Sequence, residues 1–321
     1  MAALAAAFTA PLACAQPAWR PERPVEIVVG SSPGGGQDLT ARVLQKILQE
    51  RRLVESAVVV NKPGGGQTVS WAYMNQHAGD GHYINVINEP LLTNRIMGVS
   101  PLGHADFTPL AVLFHEQVVF LANSDGAIKT GRDLLERMKT DFTAVAFGFG
   151  SSRGNNTHIA IALLARAAGM DARKAKIVVF KSGGEALTAL LGAHLDVCVS
   201  TIAPAIQYVQ SGQLRALAVA APGRLSGELA TVPTWHEQGA DLTYASWRVV
   251  FGPKNMTGAQ VAFWERALRE AVQSPEWTAD LARNYREAAY AGSTETRSFL
   301  DAENRRLSSL LADLGLAATA R

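Results

Sequence analysis

The stretch VEIVVGSSPGGGQDLTARVLQKIL, residues 25–48, runs from five strand formers through three consecutive glycines into a helical pattern. Val25, Ile27, Val28 and Val29 suit a buried strand, while Leu39, Val43, Leu44, Ile47 and Leu48 fall on one side of a helix over 38–50. The same plan follows at once in AVVVNKPGGGQTVSWAYM, and PGGGQ recurs letter for letter at 33–37 and 63–67. After the second helix, GDGHYINVIN places a turn at 79–81 and a third strand. The order βαβαβ, with short apolar strands, predicts a mostly parallel sheet covered on both faces.

Outward from this unit the pattern pauses and restarts. FTPLAVLFHEQVVFLAN supplies further strands, and 131–139 a short helix. TAVAFGFG, a helix over about 157–168, IVVFK, a helix over 184–191, LDVCVS, the PAIQYVQSG helix and LRALAVAAP then make a second α/β unit. From 257 to 314 the pattern is nearly all helical, broken by SP at 274–275 and AGS at 291–293. These tail helices need a sheet and are expected to return to the first unit. The expected organisation is a first domain of 20–122 plus 247–321 and a second of 123–246. The fold class is α/β, two lobes with mixed, mostly parallel sheets around a cleft. Loops at the carboxyl ends of parallel strands face such a cleft.

A chain of 321 residues at 48% hydrophobic and 18% charged can build such lobes. Residues 1–15, MAALAAAFTAPLACA, carry no charge and end in Ala13, Cys14 and Ala15, as a cleaved export signal does, although the cationic start is missing. A lipid anchor on Cys14 is a poorer reading, since Pro11 stands where a larger aliphatic residue belongs. With that segment removed Cys198 stands alone, and its neighbours LDVCVS predict a buried thiol. No later run has the length of a membrane span, so the mature chain is expected to be soluble and periplasmic. A net charge of +2 with scattered basic residues speaks against a nucleic acid partner.

Four loops repeat one physical idea: SSPGGGQD (31–38), NKPGGGQT (61–68), GFGSSRGNNTH (148–158) and KSGGEA (181–186). Glycine lets a ligand approach the backbone, and a helix start offers unpaired N–H groups with partial positive charge. Two such loops facing each other can enclose a carboxylate; a single one is often only a tight turn. A phosphate loop is excluded because no GK[ST] follows the glycines. Two enzyme readings stand as alternatives. GFGSSRG, with Asp171 as its acidic partner, resembles a dinucleotide turn of an NAD(P)-dependent oxidoreductase. Ser152 with His158 would suit a hydrolase, though there is neither a GxSxG elbow nor an orienting acid. His77, Asp80 and His82 have metal-like spacing but flank a turn that explains them, and no metal or other cofactor is expected.

As a set, the stretches RPVEIVVGSSPGGGQDLTARVLQKI, VVVNKPGGGQTVSWAYM, GDGHYINV, DFTPLAV, HIAIALLARAAG, IVVFKSGGEALTALLGAHLDV, SGQLRALAVAAPGR and TVPTWHEQGADL followed by Trp247 are specific. From Arg20 onward the chain resembles the Bug family of periplasmic solute-binding proteins, the TctC-like receptors of tripartite tricarboxylate transport systems. That resemblance implies two lobes closing on a small organic carboxylate, no catalysis, and a membrane transporter or a sensor as partner to a monomeric receptor. It implies that the carboxylate is held by the first loop, Ser31, Ser32, Gly34, Gly35, Gly36, Gln37 and Asp38, and by the facing loop, Gly150, Ser151, Ser152, Arg153, Asn155 and Asn156. Thr157 and His158 begin the helix after that loop, and Gly183, Gly184 and Glu185 are implied to line the same cleft. Three positions depart from the family pattern. Arg153 replaces a small residue, and either grips a second acidic group or points to solvent. Asn88 and Glu89 stand where serine or glycine is usual, and Glu89 would favour a ligand carrying an amine or hydroxyl.

Overall fold

The computed structural model describes residues 19–318. The expected export segment, 1–15, lies outside them. Ten strands form one continuous mixed sheet: β1 Val25–Val29, β2 Ala57–Asn61, β3 Tyr83–Ile87, β4 Thr108–Asn123, β5 Ala146–Gly150, β6 Lys176–Phe180, β7 Val197–Thr201, β8 Leu214–Val219, β9 Ala245–Gly252 and β10 Arg286–Ala291. The helices are α1 Gly36–Glu50, α2 Thr68–Asn75, α3 Pro90–Ile96, α4 Gly131–Thr140, α5 Asn156–Ala167, α6 Gly183–Leu191, α7 Ile202–Gln210, α8 Trp235–Gln238, α9 Gly258–Val272, α10 Pro275–Arg283 and α11 Ser293–Asp313.

The parallel ladders lie at the two wings. β1 pairs in parallel with β2 and β3, and β5 in parallel with β6 and β7. Between them the pairing is antiparallel, and β4 joins the wings. Residues from Thr108 to Gln117 of β4 pair with β9, and residues from Val118 to Asn123 pair with β7 and β8. TPLAVLFHEQVVFLAN is therefore one 16-residue strand rather than several. Its polar interruption survives because Glu116, only 2% exposed, meets buried arginines instead of water.

Each wing is sealed by helices with the expected apolar faces. In α1, Leu44, Ile47 and Leu48 are buried against Ile27, Val29 and Val86. Each such side chain contributes about 1.5–3 kcal/mol through burial. α5 is buried along nearly its whole length, from Asn156 to Ala165, because it packs within the second wing. Cys198 is fully buried and free, and burial pushes its thiol up to about 12.

In the tail, α9 and α11 pack on β4, and α10 on α1. One segment differs from the helical expectation. REAAYA forms β10, antiparallel to β4, with Arg286 opposite Glu116. Tyr285 at φ 54° ends the preceding helix, and pairing with an open strand edge overrides the helix propensity of Glu and Ala.

Candidate functional site

Four helix starts converge between the wings. α1 begins after Gly35, which has no side chain to cap it, and α7 begins at Thr201 without a side-chain cap. α5 and α6 are partly satisfied by their own caps: Asn155 accepts from the His158 N–H at 2.9 Å, and Ser182 from the Glu185 N–H at 3.2 Å. The open donors therefore concentrate at α1 and α7, with the first amides of α5 beside them.

Glycine is required where these turns touch. A side chain at Gly150, the last residue of β5, would place its Cβ 2.0 Å from the Ser182 carbonyl carbon. In the first loop Gly34 has φ 84°, which lets the chain fold so that Asp38 accepts from the Gly34 N–H at 3.0 Å.

The cavity here is about 50 Å³, room for a group the size of a carboxylate. Of the first loop, Ser31, Gly35, Gly36 and Gln37 line it, together with Asn88. From the opposite wing come Gly150, Ser151, Asn155, Asn156 and Thr157, and also Gly183. Other residues expected at the site stand behind it or at its rim. Ser32 donates from its N–H to the Lys181 carbonyl at 3.4 Å, and Gly184 packs against the Gly34 carbonyl. Burial would raise the Asp38 carboxyl, but hydrogen bonds from Arg42, Gly34 and Asn61 outweigh it and hold it low. Glu185 accepts from the Lys181 N–H at 3.2 Å, Ser152 is buried near Gly66, and Arg153 is exposed.

Five lining residues escaped the sequence reading: Val199, Ser200, Thr201, Pro204 and Arg248. The β7–α7 turn has no glycine to betray it, and Arg248 sits inside an apolar strand.

The second PGGGQ copy braces the first. Gly64, Gly65, Gly66 and Gln67 all have positive φ, and this coil delivers Gln67 beneath the first loop. Gln37 then donates to Gln67 Oε1 at 3.1 Å and to Asn88 Oδ1 at 2.8 Å. Gln67 donates onward to Ser151 Oγ, and Asn88 to Asn156 Oδ1 at 3.4 Å. A chain of amides thus ties the two wings beside the cavity. Beside it the Gln37 Oε1 and Ser31 Oγ atoms are buried without partners among the described residues.

Arg248, on β9, is the one charged residue of the lining among the described residues. Its Nη2 pairs with Glu116, which also accepts from Arg286 Nε at 3.4 Å; Arg286 Nη1 in turn reaches Asp280 at 2.7 Å. Burial lowers the Arg248 pKa against the support of Glu116. Glu89 is fully buried outside the lining, accepting from Ser246 Oγ at 3.1 Å and the Trp247 N–H at 3.3 Å. Burial pushes its carboxyl up to about 7.

The enzyme alternatives find little here. His158 Nδ1 accepts from the Gly154 N–H at 2.8 Å, and burial, assisted by Arg153, pushes the imidazole down to about 4. It makes no hydrogen bond to Ser152, whose hydroxyl is unpartnered. Asp171 is engaged by Arg173 at 2.8 Å, in the turn before β6 rather than at its carboxyl end. His82 and Arg23 hold Asp80, and His77 stacks on Tyr83 at 3.7 Å.

The model of the TctC family, the tripartite tricarboxylate transporter family receptor, matches residues 40–316. Protein BugT of Bordetella pertussis is 26% identical over 300 residues, 92% of this chain and 90% of that protein. The periplasmic binding protein BugD superimposes with a TM-score of 0.85 at 22% identity, over 94% of this chain and all (100%) of that one. MatC of Rhodopseudomonas palustris, solved with bound malate, gives 0.81 at 22% identity, over 91% of this chain and 100% of that one. At these identities the structural likeness is one of fold.

Proposed function

Because the chain belongs to the TctC family of tripartite tricarboxylate transporter receptors, we propose that it is an extracytoplasmic solute-binding protein that captures a small organic carboxylate between two lobes and delivers it to a membrane transporter or sensor. The family is one of receptors rather than enzymes. The observation that carries the reading is the convergence of two uncapped helix starts and Arg248 on a cavity whose lining, among the described residues, holds no carboxylate. Helix-start amides and a buried cation together favour an anion. The malate bound by the structural neighbour MatC supports an organic acid as the class of solute.

The lobes divide where β4 changes partners, after Gln117, and at the link between Tyr244 and Ala245. Opening about these two crossings admits the solute; closure brings the α5 amides over a carboxylate seated at α1. Ligand drives closure only through contacts that the open form lacks. The receptor acts as an exported monomer in the periplasm. Among the described residues no helix is long and apolar enough to cross a membrane.

Thermal unfolding against malate, succinate, adipate, citrate, benzoate and glutamate, with NAD(P) alongside, tests the proposal. An acid present at 100 times its Kd stabilises the fold by about 2.7 kcal/mol, so a saturable rise in Tm is expected with at least one of them. A response to NAD(P) alone would move the function to the oxidoreductase.

A further inference from the structure

Arg248 is an unusual residue to bury. Its side chain is 2% exposed and lies in the run SWRVVFG, where every neighbour but the serine is apolar or glycine. A guanidinium carries five N–H donors in a fixed fork. Among the described residues this one uses a single hydrogen bond, from Nη2 to Glu116. Among the described residues Nε, fully buried, has no partner, and Nη1 makes no hydrogen bond. Donors left unused in the interior are costly, and their desolvation is wasted unless something else accepts from them.

The guanidinium is also held still, and its Nη2 lies on the cavity side. Glu116 fixes it from β4, Arg286 fixes Glu116 from β10, and Asp280 at the end of α10 fixes Arg286. On the cavity side, Nη2 is 3.5 Å from where a Gly36 side chain would begin, with Thr201 Oγ1 3.1 Å from the same point. A group seated at the uncapped starts of α1 and α7 therefore meets Arg248. Arg248 and Arg286 face the carboxylates Glu116 and Asp280, and the buried Glu89 also acts on Arg248 through space.

We infer that Arg248 is a specificity-determining residue of the cleft, donating from the guanidinium side nearest Gly36, where Nη2 keeps a second N–H beyond its bond to Glu116, to an ionised carboxylate of the ligand and so selecting acids over their amides. This rests on the reading of the cleft as a carboxylate site. It adds that recognition uses a full charge on β9 as well as backbone amides. A preorganised fork pairs with a planar carboxylate and gains less from an amide, which offers one neutral acceptor and brings donors of its own.

The test is a cycle with the ligand as one axis. Titration calorimetry measures Kd for the tightest acid among malate, succinate, adipate and benzoate and for each of its monoamides, with wild type and Arg248→Gln. In wild type one amide is expected to bind about 30-fold more weakly than the acid, the scale of a charge-assisted hydrogen bond, and in Arg248→Gln that ratio falls to about threefold. A variant that weakens acid and amide equally, keeping the ratio, would assign Arg248 a structural role only and overturn the inference. Equal binding of acid and amides by wild type overturns it without any variant. If none of the acids binds wild type, the carboxylate reading fails first and takes this inference with it. Should Arg248→Gln not fold, Arg248→Gln with Glu116→Gln removes the pair together, leaves no lone buried partner from it, and is read by the same ratio.

Discussion

Replacing Glu89 with glutamine should stabilise the protein in alkaline solution and do little in acid. The carboxyl is fully buried, and desolvation, opposed by Arg248, Ser246 and the Trp247 N–H, raises it from an ordinary 4.5 to about 7. The folded state therefore holds the proton more tightly than the unfolded chain. Its contribution to stability is complete below about pH 4.5 and is lost as pH rises through about 7. A shift of this size corresponds to about 3 kcal/mol between pH 4.5 and pH 8. For a chain of this length that is a Tm change of about 5 °C, from an unfolding entropy near 2 cal/mol/K per residue. Glutamine keeps a carbonyl oxygen to accept from the Trp247 N–H, presents its amide to Ser246 Oγ, which can accept, and never ionises. Scanning calorimetry of wild type and Glu89→Gln at the two pH values should thus show the variant gaining about 5 °C relative to wild type at the higher pH. A Tm difference that is the same at both would refute the reasoning, because it would mean that Glu89 titrates alike in folded and unfolded chains.

Gly150→Ala should destabilise by at least about 2 kcal/mol, since backbone atoms of Ser182 and Gly183 occupy the space of the new methyl; urea denaturation with an unchanged midpoint would contradict the packing. Gln67→Ala removes the hydrogen bonds to Gln37 and Ser151, and should weaken ligand binding about fivefold while raising the unliganded radius of gyration in X-ray scattering. Unchanged values of both would mean that the amide chain does not hold the lobes together. His158, pushed down to about 4 by burial, should stay neutral from pH 8 to pH 5 in NMR titration, its stabilising effect fading only as pH falls below about 6.5 toward 4; an imidazole titrating near pH 6.5 would contradict its buried acceptor role.

Much of this was legible in the sequence because it is local. The alternation of apolar strands with glycine turns and amphipathic helices marks β1–α1 and β5–α5, and those turns place Gly36 and Asn156 in the cavity. What was missed depends on distant pairing. Residues 116, 248 and 286 carry no mutual spacing signal, and only the antiparallel registers of β4 with β9 and β10 bring them together, Asp280 joining locally from α10. The same register turns REAAYA into a strand. Thr201 opens α7 with an ordinary hydroxyl residue, so nothing in VCVST separates a ligand-facing helix start from an interior strand end. The second PGGGQ shows the opposite limit: identical letters serve as lining in one copy and as a brace in the other, because the left-handed coil at Gly64–Gly66 turns Gln67 toward Gln37.

The central claim is that a carboxylate sits where α1 begins, and the most direct measurement is titration calorimetry of wild type and Gly36→Ala with the tightest acid. Gly36 lies at the start of a helix without positive φ, so alanine is compatible with the fold, while its methyl would stand 3.1 Å from Thr201 Oγ1 and 3.5 Å from Arg248 Nη2, within the cavity. Saturable binding in wild type, weakened at least about tenfold in the variant at unchanged Tm, is the expected result, as a methyl in a close-packed site displaces the bound group. Equal affinity in the two proteins would place the ligand elsewhere and contradict the claim.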